Sequence, residues 1–232
     1  MTIFESVYRD LFDQYGPQGW WPLVDRSSFP LTGTYLPQNT TRAKTEEERF
    51  EICVGAILTQ NTNWSNAQKA LISLIQADFM NPVILSEADT TTIAKLITSS
   101  GYYNQKAKKL KAFSAFYLTD PEPSRPLYLS QWGLGPETVD DMLLYAYDQP
   151  VFVVDLYTKR LFSRLGLCNE SISYHDLQAL ITSGIEKDVM MYKEYHALIV
   201  RHAKEFCRKS PDCLRCRVVT DCSGLEPESP ST

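Results

Sequence analysis

Apolar side chains recur at three- and four-residue intervals along most of the chain, the spacing of helices with one buried face. Phe4, Val7, Tyr8, Leu11, Phe12 and Tyr15 mark the first stripe, with a Thr2–Glu5 capping box before it and Gly16 after it. Residues 17–44 carry Pro17, Pro22, Pro30 and Pro37 and read as loop. Phe50, Cys53, Val54, Ile57 and Leu58 make a second stripe, and Ala67, Ala70, Leu71, Leu74 and Ile75 a third. Ile93, Leu96 and Ile97 predict a short helix ending by Gly101, and Ala107, Leu110, Phe113 and Tyr117 a longer one. Pro121, Pro123 and Pro126 then break the chain before two short helices. Leu161, Phe162 and Leu165 resume the pattern up to Gly166, and Ser173 and Asp176 open a helix carrying Leu177, Leu180 and Ile181. Leu198, Ile199, His202 and Phe206 lead into a cysteine-rich end. No β-hairpin is predicted, and residues 150–154 are extended at most briefly. The fold class is all-α.

With 232 residues and 44% hydrophobic positions, the chain can bury a substantial core. No apolar run approaches a membrane span, and the first residues do not read as a signal peptide, so the expectation is a cytoplasmic protein. The net charge of −5 counts against a DNA-binding role, because phosphate contacts supply most nonspecific affinity. Basic residues are nonetheless grouped: Lys106, Lys108, Lys109 and Lys111 in one strip, and six between Arg201 and Arg217. Such a lysine run is equally a solvated helix face. Four of the six cysteines crowd between Cys207 and Cys222, which suggests a metal or cluster site in a reducing compartment. Cys53 and Cys168, among apolar residues, read as buried thiols.

Between the two short helices lies Gly133-Leu134-Gly135, and Asp155 follows the second glycine by twenty residues. Glycines let a turn reach positive φ and bring backbone N–H groups close to a phosphate, where the next helix N-terminus adds partial positive charge. An acid at a fixed distance from a held nucleic-acid backbone suits base chemistry. A carboxylate beside a deoxyribose can stabilise the positive charge that develops as a base departs, and can orient or deprotonate water. Asp155 is equally well placed to be a plain N-cap, and the two roles are compatible.

These motifs resemble the helix-hairpin-helix DNA glycosylases of the endonuclease III superfamily over most of the chain. The hairpin is similar to that family's DNA anchor, and Asp155 in Val153-Val154-Asp155-Leu156 to its catalytic aspartate. The stretch Ala56-Ile-Leu-Thr-Gln60-Asn-Thr62 is similar to a helix end whose glutamine enters the duplex, although Gln60 could simply cap a helix. The resemblance implies two helical lobes flanking a DNA-binding groove. Residues 45–148 would form a helical barrel lobe ending in the hairpin, residues 1–44 and 149–222 a cluster lobe, and residues 223–232 a disordered tail. It also implies double-stranded DNA with a flipped base as the partner of a monomeric, nucleoid-associated enzyme. Gly133, Gly135, Thr138, Gln60, Arg208, Lys209, Arg215 and Arg217 are the expected DNA contacts.

Bifunctional members of the family carry a hairpin lysine that forms a Schiff base with the sugar. This chain has Glu137 there, so the expectation is base release without strand cleavage. That departure, with Trp20-Trp21-Pro22 and Phe50, makes the chain most similar to the family's 3-methyladenine DNA glycosylase branch. The resemblance assigns Trp20, Trp21 and Phe50 to the base pocket, where flat rings would receive a cationic purine by stacking and cation–π attraction. Those rings could instead seal the core. It also draws attention to Lys204 as active-site support, with a phosphate contact the alternative. His175 and His196 read as structural.

Cys207, Cys213, Cys216 and Cys222 suit a [4Fe–4S] cluster or a structural zinc by their spacing. The resemblance favours the cluster, although the first gap is one residue shorter than the family's usual loop. Two rivals remain open: an endonuclease III-like glycosylase for oxidised pyrimidines or mismatched bases, and a noncatalytic DNA-binding module.

Overall fold

The computed structural model describes residues 1–35, 44–216 and 222, and the chain divides into two compact units, Met1–Trp20 with Pro150–Thr232, and Trp21–Gln149. The expected boundary at residue 44 is therefore moved. The stretch after Trp20 groups with the second unit because Glu51, 3% exposed on a helix of that unit, binds it. One oxygen of Glu51 accepts from Val24 N–H at 2.7 Å and the other pairs with Arg26 at 3.4 Å. Arg217 and the whole of the anticipated tail, residues 223–232, lie outside the described residues.

The first unit is helical. Helix α1 (Ile3–Tyr15) opens with the capping box anticipated from Thr2 and Glu5, both halves of which are formed. It packs against the long α11 (Val189–Glu205), which also meets α9 (Leu156–Arg164). Tyr195 of α11 stands at the centre: its ring meets Tyr8, Phe152 and Phe162, and its hydroxyl donates to Phe4 O at 2.9 Å. Helix α10 (Tyr174–Ser183) is capped by Ser173, which accepts from Asp176 N–H.

The second unit begins with a short antiparallel hairpin, β1 (Leu23–Asp25) paired with β2 (Thr32–Thr34). This pair was not expected. Three-residue strands in a proline-rich stretch leave too little alternation to read. Helices α2 (Glu46–Leu58) and α3 (Trp64–Gln76) follow, then α4 (Pro82–Glu87) and α5 (Thr90–Leu96), both packed on α6 (Tyr103–Tyr117). Every residue of α2 from Phe50 to Leu58 is buried, so α2 is the unit's central element. Helices α7 (Arg125–Leu129) and α8 (Pro136–Asp141) form the helix-hairpin-helix, and α8 runs on as a π turn through Ala146. Arg125 grips the fully buried Asp140 through two bonds, of 2.6 and 3.0 Å. That fork fixes the two hairpin helices relative to each other.

Candidate active site and DNA-anchoring hairpin

Asp155 is the N-cap of α9. Its Oδ1 accepts from Thr158 N–H at 2.7 Å and from the Thr158 hydroxyl at 2.8 Å. Its Oδ2 lies 3.7 Å from Nε2 of His196, a nearly buried ring on α11. Burial alone would push the carboxyl up. His196 beside it and the two Thr158 bonds outweigh that effect and hold it below the usual aspartate value. The acid therefore stays ionised at neutral pH with one oxygen engaged in the cap. The capping and catalytic readings coexist in one side chain. Lys204, further along α11, senses the Asp155 charge, and its ammonium lies 5.9 Å from the centre of the Tyr157 ring. Burial lowers the Lys204 pKa, and the Asp155 charge opposes that shift.

His196 and Thr158 were missed as partners of Asp155. The signal for His196 was present: Tyr192, Tyr195, His196 and Ile199 follow the 0, 3, 4, 7 spacing of a buried face. A polar ring on such a face requires a partner.

In the hairpin, Gly133 takes φ +84, a conformation that disfavours any side chain, and an added Cβ would stand 2.8 Å from the Lys109 side chain. Gly135 differs from expectation. Its φ of −95 is open to any residue, and nothing lies within 4 Å of a Cβ built there. What its missing side chain leaves is clear space over the N-terminus of α8.

Gln60 braces the turn from within the second unit. Its amide nitrogen donates to Gly133 O at 3.2 Å and to the Thr138 hydroxyl at 2.9 Å, while its oxygen accepts from Lys109 Nζ at 2.6 Å. Thr138 is buried, so what it can offer DNA is backbone. The lysine strip is likewise not a single basic face. Lys106 is buried and donates to Leu58 O and Ser100 O, neutralising the carbonyl end of α2. Burial lowers its pKa to about 8. Lys111 donates to Ala88 O at 2.8 Å, and Lys108 alone of the four is exposed.

The expected aromatic pocket is only partly assembled. The boundary between the units falls between Trp20 and Trp21. In the second unit Trp21 meets Trp64 edge to face at 5.1 Å and Tyr145 at 5.5 Å. Gly55 makes room for that ring: a Cβ there would lie 2.9 Å from it. Phe50 is elsewhere, 1% exposed and packed on Tyr117 at 4.9 Å, so it serves the core. Trp64 is the missed aromatic. It extends the α3 stripe back by one turn from Ala67, a position easily assigned to the loop.

Cys207, Cys213, Cys216 and Cys222 border one cavity together with Leu161, Arg164, His202 and Phe206. Among the described residues no three donors gather closely enough for a single metal ion. Four thiols on one cavity are a donor chemistry that suits an iron–sulfur cluster or a structural zinc alike. Arg164 Nη1 lies 3.3 Å from Cys207 Sγ and also donates to Arg208 O at 2.7 Å. Burial lowers the His202 pKa to about 4, so the ring is neutral. It sits 3.0 Å from the Tyr15 hydroxyl and 3.7 Å from Cys216 Sγ. Arg208 and Lys209 are exposed, while Arg215 pairs with Asp212 at 3.3 Å.

The fold is a helical one that carries a short-helix hairpin with a positive-φ glycine and a capping aspartate near a histidine. Residues 54–187 match the model of the HhH-GPD superfamily of base excision DNA repair proteins. The chain belongs to that superfamily and is a DNA glycosylase of base excision repair. A protein of Methanocaldococcus jannaschii, provisionally named a DNA repair glycosylase, is 39% identical, the match covering 94% of each chain. The 3-methyladenine DNA glycosylase of H. pylori, solved with 1,N6-ethenoadenine, is 27% identical with a TM-score of 0.67, covering 88% of this chain and 96% of that one. An endonuclease III–DNA complex shares the fold at 16% identity, with a TM-score of 0.77 and 97% of each chain covered. Among the described residues no helix is long and apolar enough to cross a membrane.

Proposed function

We propose that this glycosylase is monofunctional and hydrolyses the N-glycosidic bond of alkylated purines such as 3-methyladenine. The observation that carries the reading is the state of Asp155: ionised, locked through Oδ1, with Oδ2 turned to a histidine and not to the helix amides. As the base leaves with the bonding electron pair, the deoxyribose gains positive charge, which this carboxylate stabilises. Water then adds to the sugar carbon, and the carboxylate accepts its proton. An alkylated purine is already cationic and departs neutral, so no strong acid is needed to protonate it.

The substrate class is supported by Trp21, whose partly exposed ring would attract a flat cation more than a neutral base. The similarity to the H. pylori 3-methyladenine enzyme supports it independently. The reading without lyase chemistry is supported by the hairpin, where Glu137 stands in the first turn of α8 and a carboxylate cannot form an imine. Lys109 reaches the turn, but its amine is bound to Gln60. The partner is double-stranded DNA with the damaged base turned out of the stack, met by a single copy of the chain.

Cys207, Cys213, Cys216 and Cys222 would hold a [4Fe–4S] cluster. When bound, that group supplies a cross-link that stiffens the loop bearing Arg208, Lys209 and Arg215. Arg164 and Arg160 tie the loop to α9, Arg160 by donating to Cys207 O at 2.7 Å. A panel of duplexes, each carrying one lesion, tests the reading. Free alkylpurine should be released by the wild type and not by Asp155→Asn, with no strand break. Release confined to oxidised pyrimidines would replace it with the endonuclease III-like alternative, and release of nothing with the noncatalytic one.

A further inference from the structure

A carboxylate tied at one oxygen still has a broad torsional well about its terminal bond. The cap bonds from Thr158 hold Oδ1 of Asp155, but both come from α9 itself. What stands against the second oxygen comes from a different helix. His196 is 7% exposed on α11, which packs on α9, and its Nε2 is 3.7 Å from Oδ2. That separation is longer than a hydrogen bond but within ion-pair reach, and such contacts tighten when an active site fills.

We propose that His196 is the positioning residue for Asp155, fixing the plane of the carboxylate so that Oδ2 meets the charge developing on the sugar. The proposal rests on the catalytic reading of Asp155 above and goes beyond it. A ring buried on a helix whose buried positions include Tyr192, Tyr195, Leu198 and Ile199, beside the polar Lys193, Glu194 and His202, costs stability unless a polar partner answers it. Two residues earlier, Glu194 accepts from Gln18 N–H at 2.5 Å, so this stretch of α11 anchors a second segment by the same means. Thr158 fixes where the carboxylate sits, and His196 fixes which way it faces. The depressed pKa of Asp155, to which His196 contributes most among the lowering influences, agrees with this contact.

The test is single-turnover base release, with DNA affinity measured alongside, for the wild type, His196→Gln, His196→Leu, Asp155→Asn and the double variant His196→Leu/Asp155→Asn. Misplacing a reacting group by about 1 Å costs about 100-fold. His196→Leu should therefore slow release by about 10- to 100-fold with DNA affinity unchanged, and Gln, which keeps a donor, should recover part of the rate. Asp155→Asn and the double variant serve as the no-release controls. A leucine variant as fast as wild type, or a glutamine variant as slow as leucine, would overturn the proposal. The His196 ring resonances, compared between wild type and Asp155→Asn, provide a readout that needs neither a folded leucine variant nor activity. A clear shift supports the contact and an unchanged ring contradicts it. Failure of the glycosylase reading would look different: the wild type would release no base from any duplex.

Discussion

The Oδ1 atom of Asp155 accepts two bonds from Thr158, at 2.7 and 2.8 Å, so the residue proposed to face the sugar is also the first cap of its own helix. Asparagine caps a helix about as well as aspartate, whereas loss of the cap to alanine costs about 1 kcal/mol. Asp155→Asn should therefore abolish base release while keeping the cap, and Asp155→Ala should abolish it and lower stability by about 1 kcal/mol more than Asn does. Denaturant melts beside activity assays check both. Equal stability loss in the two variants would mean that the charge, and not the cap, holds this corner.

The same residue sets a pH limit. A folded-state pKa below the usual 3.8 means that Asp155 adds stability above that value and loses it as pH falls through the lower, folded-state value. Base release by the wild type should not lose activity through Asp155 protonation between pH 7 and 5. An acid limb near 6 that persists in His196→Gln and vanishes in Asp155→Glu would contradict the depressed carboxyl.

The two hairpin glycines should separate cleanly. Gly133→Ala forces a side chain into φ +84 and against Lys109, costing about 1–2 kcal/mol. Gly135→Ala has room and an ordinary φ, so the fold should be untouched. If the α8 N-terminus receives a phosphate, the Gly135 variant will bind DNA more weakly at unchanged Tm. Equal affinity would remove that end of α8 from the DNA contact.

Much of this was legible in the sequence because it is local. The Thr2 capping box, the Ser173 cap, the hairpin and the stop at Gly166 each depend on residues a few positions apart. What escaped depends on residues far apart in the chain. His196 meets Asp155 from 41 positions away, and Gln60 reaches Gly133 across 73. Trp64 escaped for the same reason: tertiary packing sets it against Trp21, while Phe50, on the buried stripe of α2, packs on Tyr117. The lysine strip misled because charge in a sequence does not say whether an amine faces water or, like Lys106, a helix end.

Trp21 should control selectivity between cationic and neutral lesions. Replacing it by leucine keeps an apolar side chain but removes the ring face, whose attraction for a cation is about 0.5–2 kcal/mol. Trp21→Leu should thus cut release of 3-methyladenine several-fold more than release of a neutral purine lesion. Equal losses for both would reassign Trp21 to packing against Trp64 and Tyr145.

The cysteine loop is tested by composition. Purified protein should contain iron and acid-labile sulfide with visible absorption, and Cys213→Ser should lose them and weaken DNA binding. Stoichiometric zinc with no visible absorption would overturn the cluster.

The most direct measurement is chromatographic detection of free base from a duplex bearing a single 3-methyladenine, with the same strand examined for breaks and for borohydride-trapped enzyme. The account predicts released 3-methyladenine, an intact abasic strand, no trapped complex, and no release by Asp155→Asn. Undiminished release by Asp155→Asn, or efficient trapping of the wild type, would contradict it.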